Sequence, residues 1–244
     1  MAEIKRENIY RSLPFIYNHL MKRIRYDFWS DYLFQLTSKY VSTNASVLEL
    51  AAGNCQLAKF MATKYPDLIV SDISNKMLES SYDLTLKKVC CDMSCLPFKR
   101  HFDMIYMTFD SINYLLSKKS TLAFLKNIKE SLCDNGIFTF DASLERNSIS
   151  HVSQPVRQAV YNGFSYVHKS SYNKKTRVHK NIFNITFPDG EIHKEIHKQK
   201  ILEFYDYFDL IERAGLFVVE CFDAFTFKTG RAKSKRVQFV IKKS

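Results

Sequence analysis

The chain is 244 residues long, 46% hydrophobic and 25% charged, with a formal net charge of +11. That composition suits a folded domain with a sizeable core; no apolar run reaches the roughly 18 residues of a membrane helix, and the opening MAEIKRENIY lacks a signal peptide's apolar centre. A cytosolic protein with one α/β domain and an inserted subdomain is therefore expected.

Residues 7 to 40 read as two helices. Tyr10, Leu13, Ile16, Tyr17, Leu20 and Met21, then Phe28, Trp29, Tyr32, Leu33 and Leu36, recur at helical spacing, and Pro14 interrupts the first run. The plain reading of these aromatics is core. The stretch VLELAAGNC, residues 47 to 55, then gives an apolar strand, an acid, and a turn of small residues that starts a helix with apolar positions at Leu57, Ala58, Phe60, Met61 and Ala62. Glycine in such a turn permits close backbone approach, and the helix start beyond offers N–H groups to an anionic group such as a carboxylate.

Residues 68 to 71, LIVS, form a second strand ending at Asp72, where an acid can accept hydrogen bonds from ribose hydroxyls, and SNKML starts the next helix. A third strand around Leu86 to Cys91 ends in Asp92 and Met93. The fourth, Met104 to Met107, ends in TFDSINYL, and the fifth, Ile137 to Phe140, follows the turn DNG. Residues 151 to 160 read as a short helix. Three β-rich runs follow, GFSYVHKSSY, TRVHKNIFNITF and EIHKEIHKQKIL, separated by the turns NKK and PDG, which describes an antiparallel meander. In the last run Ile192, Lys194, Ile196 and Lys198 share one face, and His193, Glu195, His197 and Gln199 the other. A helix from Tyr205 to Ala214 stops at Gly215; the strand LFVVEC, a basic loop at 223 to 235 and the strand KRVQFVIKK complete the chain.

VLELAAG, SDISNKML, CDMSCLPF, FDMIYMTFDSINYL and LCDNGIFTFD stand in the order and spacing of class I S-adenosylmethionine-dependent methyltransferases. The chain resembles that family over nearly its whole length, most closely the small-molecule group that includes nucleotide-sugar N-methyltransferases. The resemblance implies a doubly wound, seven-stranded, mostly parallel Rossmann-like sheet. It divides the chain into an N-terminal helical lid (1–40), a cofactor-binding core (41–150), an inserted antiparallel β-subdomain (151–201) and the C-terminal part of the core (202–244).

It also implies residue roles. Glu49 and the backbone of Ala51 to Gly53 would face the methionine part of S-adenosylmethionine, Asp72 the ribose, and Asp92 with Met93 the adenine. Ile73, Met77, Thr108 and Asp110 complete the cofactor set, and YNHLM followed by YDFW resembles a lid that brings Tyr17 and Tyr26 to the ligands. On the acceptor side the resemblance points to Tyr114, Asp110, His197 and Arg236, with Ser111 and Asn113 beside them; Asp110 or Ser111 could instead merely cap a helix. Where such loops carry three glycines, this chain has Ala51, Gly53 and Cys55. Sugar N-methyltransferases carry a histidine where Tyr114 aligns, and a phenol is the poorer base at neutral pH.

Charge divides unevenly: residues 1–150 hold 19 Lys/Arg against 16 Asp/Glu, and residues 151–244 hold 17 against 9. The basic second half slightly favours a nucleotide-linked or phosphorylated small-molecule acceptor with an amine or hydroxyl, although lysine-rich solvated faces are commoner and need no partner; the resemblance makes the product S-adenosylhomocysteine. An RNA methyltransferase is less favoured, since TFDS replaces the NPPY-like tetrapeptide of many base N-methylating enzymes. A non-catalytic binding protein that keeps the fold is the remaining alternative, supported only by Cys55. The six cysteines, Cys55, Cys90, Cys91, Cys95, Cys133 and Cys221, fall mostly in predicted strands or buried turns and suit reduced core thiols. Cys90, Cys91, Cys95 and His101 have ligand chemistry for zinc, but adjacent strand cysteines face opposite ways, and no metal site is expected.

Overall fold

The computed structural model describes residues 9–81, 83, 85–98 and 101–243, so the first eight residues of the expected lid lie outside the described residues. Pro14 opens α1 (Pro14–Leu20) instead of interrupting a longer helix. At a first helical position its missing N–H leaves no hydrogen bond unmade. Tyr10, expected on the helix face, lies ahead of α1 with φ of 62°. The second helix, α2 (Tyr26–Thr37), turns Trp29, Tyr32, Leu33 and Leu36 inward.

The main sheet contains β1 (Val47–Leu50), β2 (Leu68–Asp72), β3 (Lys87–Cys90), β4 (Phe102–Met107), β5 (Leu132–Ser143), β10 (Leu216–Asp223) and β11 (Arg236–Lys243). Their spatial order is β10-β11-β5-β4-β1-β2-β3. The five strands from β5 to β3 are parallel, and β11 runs antiparallel to both β5 and β10. The chain winds outward from β1 to β3, then returns to place β4 on the other side of β1. That reversal opens a crevice beyond the carboxyl ends of β1 and β4, where ligands collect in such sheets.

All four positions of β1 are buried, because helices cover both faces of a parallel sheet. One face packs α2 and α3 (Gln56–Ala62) around Trp29, Leu33, Val47, Met61 and Val70. The other packs α5 (Lys118–Ser131) and α7 (Phe204–Arg213) around Phe124, Phe138, Tyr207 and Phe239. In α7 the buried residues Phe204, Tyr207, Leu210 and Ile211 form one stripe, and Gly215 ends the helix with φ of 72°. Each such side chain contributes about 1.5–3 kcal/mol on burial. The short α4 (Asn75–Glu79) starts on Ser74, whose hydroxyl accepts the Met77 N–H. The DNG turn lies inside β5, not before it; a Cβ on Gly136 would meet the Phe102 carbonyl oxygen at 2.8 Å.

The expected helix at 151–160 is replaced by α6 (Glu145–His151) and a strand, β6 (Val156–Tyr161). Pro155 biases Gln154 away from helical backbone, and the two-residue turn Asn162-Gly163, with φ of 49° and 81°, folds β6 back onto β7 (Phe164–Asn173). With β8 (Val178–Thr186) and β9 (Ile192–Lys200) they make a separate four-stranded antiparallel sheet, one strand more than the three β-rich runs anticipated. Leu13 and Ile16 pack against Tyr166, Phe183 and Ile185 on its inner face, so the lid rests on this sheet. No helix among the described residues is long and apolar enough to cross a membrane. The cysteines are free thiols, but only Cys55 is buried, so the expectation of core thiols holds for one position; Cys90 is exposed because the third strand is an edge, and Cys95 is exposed in the turn beyond it.

Candidate active site

The loop after β1 takes positive φ at every second residue: Ala51 (53°), Gly53 (56°) and Cys55 (59°). These are the three positions where glycine is usual, and the strain of a Cβ in the left-handed region is roughly 1–2 kcal/mol at each of the other two. Gly53 cannot be enlarged freely. A Cβ there would lie 3.3 Å from Met77 Cε and 3.6 Å from the Tyr17 hydroxyl, so the loop is covered at close range by α4 and the lid. Asp72 holds the loop in place: its Oδ2 accepts the Gly53 N–H at 2.8 Å and its Oδ1 the Ser74 N–H at 2.8 Å. Burial raises the Asp72 pKa, and these bonds act against that rise.

A cavity of about 360 Å³ opens at this point, between the crevice, the lid and the inner face of the second sheet. Of the residues anticipated from sequence, Tyr17, Tyr26, Ala51, Gly53, Asp72, Ile73, Met77, Asp92, Met93, Tyr114 and His197 line it. Its carboxylates, Asp72 and Asp92, lie together at the ends of β2 and β3. Asp92 is fixed by the backbone N–H and hydroxyl of Ser94, both donating to Oδ1. The opposite wall is β-sheet: Arg157, His168, Asn181, Phe183, His197 and Gln199, with no carboxylate among the lining residues. His168 stacks on Phe183 at 4.3 Å and meets Asn181 Oδ1 through Nε2 at 2.8 Å.

Four anticipated residues lie away from the cavity wall. Glu49 is buried and accepts the Tyr106 hydroxyl at 2.8 Å; burial pushes its carboxyl up to about 8, with that hydrogen bond opposing and Asp72 adding to the rise. Thr108 is buried, its carbonyl taken by the Ser111 hydroxyl at 2.7 Å. Asp110 and Arg236 are committed to each other. Arg236 donates to Asp110 Oδ2 and Asp141 Oδ2, each at 2.6 Å, and its guanidinium lies 5.8 Å from the Trp29 ring centre. Arg236 therefore does not face an acceptor anion, and Asp110 is not a free base. The opening residue of β11 is satisfied by carboxylates at the ends of β4 and β5, which charge complementarity in a buried place requires. Burial raises both carboxyls and Arg236 pulls them back. The Asp110 side chain makes no helix-capping bond either.

Tyr114 closes a short 3-10 turn, Ser111–Tyr114, which the buried Asn113 pins in place. Asn113 Nδ2 donates to the carbonyls of Ser143 (3.2 Å) and Lys200 (2.9 Å), joining the core to the end of β9, and its Oδ1 accepts the Ser143 N–H. The Tyr114 hydroxyl sits 3.2 Å from His197 Nδ1 and accepts from the Tyr10 hydroxyl at 3.1 Å. Burial pushes the Tyr114 phenol up to about 12. Burial likewise pushes Tyr26 up to about 12 and Tyr17 further. Sequence reasoning missed Tyr10, Arg157, His168 and Asn181 as site residues. The alternation of β6 to β9 held the signal, since cross-strand partners of His197-face residues share its face.

Residues 47–136 match the family model described as a methyltransferase domain. A protein of Geobacillus sp. (strain WCH70) named as a putative methyltransferase is 27% identical, the match covering 96% of this chain and 99% of that protein. Among solved structures, an S-adenosylmethionine-dependent methyltransferase from Clostridium acetobutylicum ATCC 824 superposes with a TM-score of 0.78 at 20% identity, covering 94% of this chain and 96% of its own. The sugar N-methyltransferase KedS8 from Streptoalloteichus sp ATCC 53650 gives 0.73 at 14% identity, covering 93% and 91%. These two likenesses establish the fold.

Proposed function

We propose that the chain is a class I S-adenosylmethionine-dependent methyltransferase, and that it methylates an amine or hydroxyl on a small, anionic molecule bound against the second sheet. One observation carries the reading: a single cavity joins the β1 loop, Asp72 and Asp92 to the polar inner face of β6 to β9, where Arg157 lines it. The residues present fit the cofactor. The loop around Gly53 leaves room that a Cβ would fill, Asp72 and Asp92 offer carboxylate lone pairs to hydroxyl and amino groups, and Ile73, Met77 and Met93 give apolar surface. When bound, S-adenosylmethionine supplies a methyl group already activated on a sulfonium. The chain's own residues then orient the acceptor, exclude water and take a proton.

Tyr114 and His197 are the proposed proton-handling pair, because a hydroxyl in contact with an imidazole nitrogen can pass a proton on even though the phenol is a weak base alone. Arg157 takes the part that sequence position suggested for Arg236. It lines the acceptor end, carries no recorded ion pair among the described residues, and has His168 as its cross-strand neighbour. The similarity to KedS8, a sugar N-methyltransferase, supports a sugar-like acceptor, and the arginine supports one bearing a phosphate or carboxylate.

The test is transfer of labelled methyl from S-adenosylmethionine into separated small-molecule, RNA and protein fractions of a cell extract. Label is expected in low-mass anionic species, and Arg157→Met should raise the Michaelis constant for the purified acceptor about tenfold or more. Label confined to RNA would overturn the reading.

A further inference from the structure

Glu195 is a carboxylate with almost no solvent access: it is 3% exposed, on β9, two residues from His197 and on the same face. Buried carboxylates persist where they are fully hydrogen-bonded, and this one is. Its Oε1 accepts the backbone N–H groups of Ser12 and Leu13, the latter at 2.9 Å, and its Oε2 accepts the N–H of Tyr10 at 2.9 Å. All three donors belong to the lid segment entering α1. The fourth partner is His197, whose Nε2 lies 3.2 Å from Oε2. Burial works against ionisation of Glu195, but the bonds from His197, Ser12 and Leu13 outweigh it and hold its pKa below the ordinary value.

The contacts close a ring. The Tyr10 hydroxyl donates to Tyr114, Tyr114 faces His197 Nδ1, His197 Nε2 faces Glu195, and Glu195 accepts the backbone N–H of Tyr10. Three separate parts of the chain meet in it: the lid, the turn after β4, and β9 of the second sheet. An ionised carboxylate has no proton to give, so the bond to Glu195 requires the proton on His197 Nε2. In the neutral imidazole that leaves Nδ1 as an acceptor for Tyr114.

We propose that Glu195 is a positioning residue that couples lid closure to assembly of the base: the carboxylate that clamps residues 10–13 also fixes the His197 tautomer that Tyr114 needs. The catalytic half of this proposal rests on the methyltransferase reading. In that half, the acceptor's proton moves to the Tyr114 oxygen as the Tyr114 proton moves to His197 Nδ1. The product is an imidazolium held beside the Glu195 carboxylate, which stays ionised throughout. With the lid open, Glu195 loses three donors and Tyr114 loses the Tyr10 hydroxyl, so the pair is incomplete until the cavity is covered.

The experiment needs no acceptor, so it can fail or succeed independently of the function proposed above. In the full chain, long-range nitrogen–proton NMR reports the His197 tautomer, and hydrogen exchange reports the Ser12 and Leu13 amides. The wild type should show His197 protonated on Nε2 and both amides protected. Glu195→Gln should produce mixed tautomers and raise exchange at both amides about tenfold or more, as loss of hydrogen bonds to a charged group implies. Tyr10→Phe, which keeps the backbone N–H, should leave those amides protected. If Glu195→Gln does not fold, Glu195→Asp, which keeps the charge but shortens the reach, should move both signals together. A variant in which the tautomer and the exchange rates stay as in wild type, or in which only one of them changes, would overturn the coupling.

Discussion

Replacing Arg236 by methionine separates two roles that its place at the start of β11 allows. An acceptor contact would leave the fold intact when removed. The structure instead places the guanidinium between Asp110 and Asp141, 2.6 Å from each, with the Asp141 side chain fully buried and that of Asp110 13% exposed. One oxygen of each carboxylate, Oδ1, already lacks a partner, so no spare donor can take over. Removing one member of a buried pair typically costs about 3–5 kcal/mol, a large share of the roughly 5–15 kcal/mol that stabilises a domain. At about 2–4 °C per kcal/mol, the melting temperature should fall by roughly 10 °C.

The loss should also depend on pH in a definite direction. Burial already raises both carboxyls, and without Arg236 they rise further above their unfolded values. A raised folded pKa gives stability that is present below the unfolded value and lost as pH rises through the folded one. Urea unfolding should therefore find the Arg236→Met deficit small near pH 4 and growing toward pH 8, and Asp141→Asn in the same chain should recover part of it. A deficit under about 1 kcal/mol at pH 8, flat with pH, would refute the buried-cluster argument and return Arg236 to the acceptor.

Glu49 gives a second pH signature. Its carboxyl is buried and pushed up to about 8 from an ordinary 4.5, so it makes stability fall as pH rises across that window, by at most about 1.4 kcal/mol per unit. Glu49→Gln should flatten that slope in ligand-free unfolding curves, and an unchanged slope would place the titration elsewhere. Cys55→Gly should change stability by less than about 1 kcal/mol, because relief of a φ of 59° offsets loss of a buried thiol. It should also retain S-adenosylhomocysteine binding in calorimetry; a loss above about 2 kcal/mol would mean that the thiol packs a place glycine leaves open. Asn113→Ala should destabilise by about 2 kcal/mol or more, since it leaves the Ser143 N–H and the Ser143 and Lys200 carbonyls without their partner, and a neutral result would show that water replaces it.

Much of the core was legible because its signals are local. The inner parallel strands carry apolar runs, as in VLEL of β1 and LIV of β2, that burial of both faces demands, whereas the edge strand β3, KKVC, does not. Asp72 and Gly53 could be placed together because the turn and the second strand are adjacent in the sheet. The acceptor side was less legible because its geometry depends on pairings distant in sequence. Nothing near Arg236 announces that Asp110 and Asp141 neutralise it, 126 and 95 residues away. Glu195 stood in the alternation of β9 beside His197, but its partners are backbone N–H groups, which carry no residue-type signal. The Asn162-Gly163 turn was a readable hairpin signal, and with it Arg157 would have been set on the face shared with His168.

Calorimetric titration of S-adenosylhomocysteine into the wild type and Asp72→Asn tests most directly whether the cavity between the β1 loop and the second sheet is a methyltransferase site. Asparagine keeps one acceptor oxygen for the loop but loses the charge and half the lone pairs offered to hydroxyl groups. The expected result is one site per chain in the wild type and binding weakened by roughly 1.5–3 kcal/mol, about ten- to a hundredfold, in a variant that remains folded. No binding to the wild type, or equal affinity in the two proteins, would contradict it.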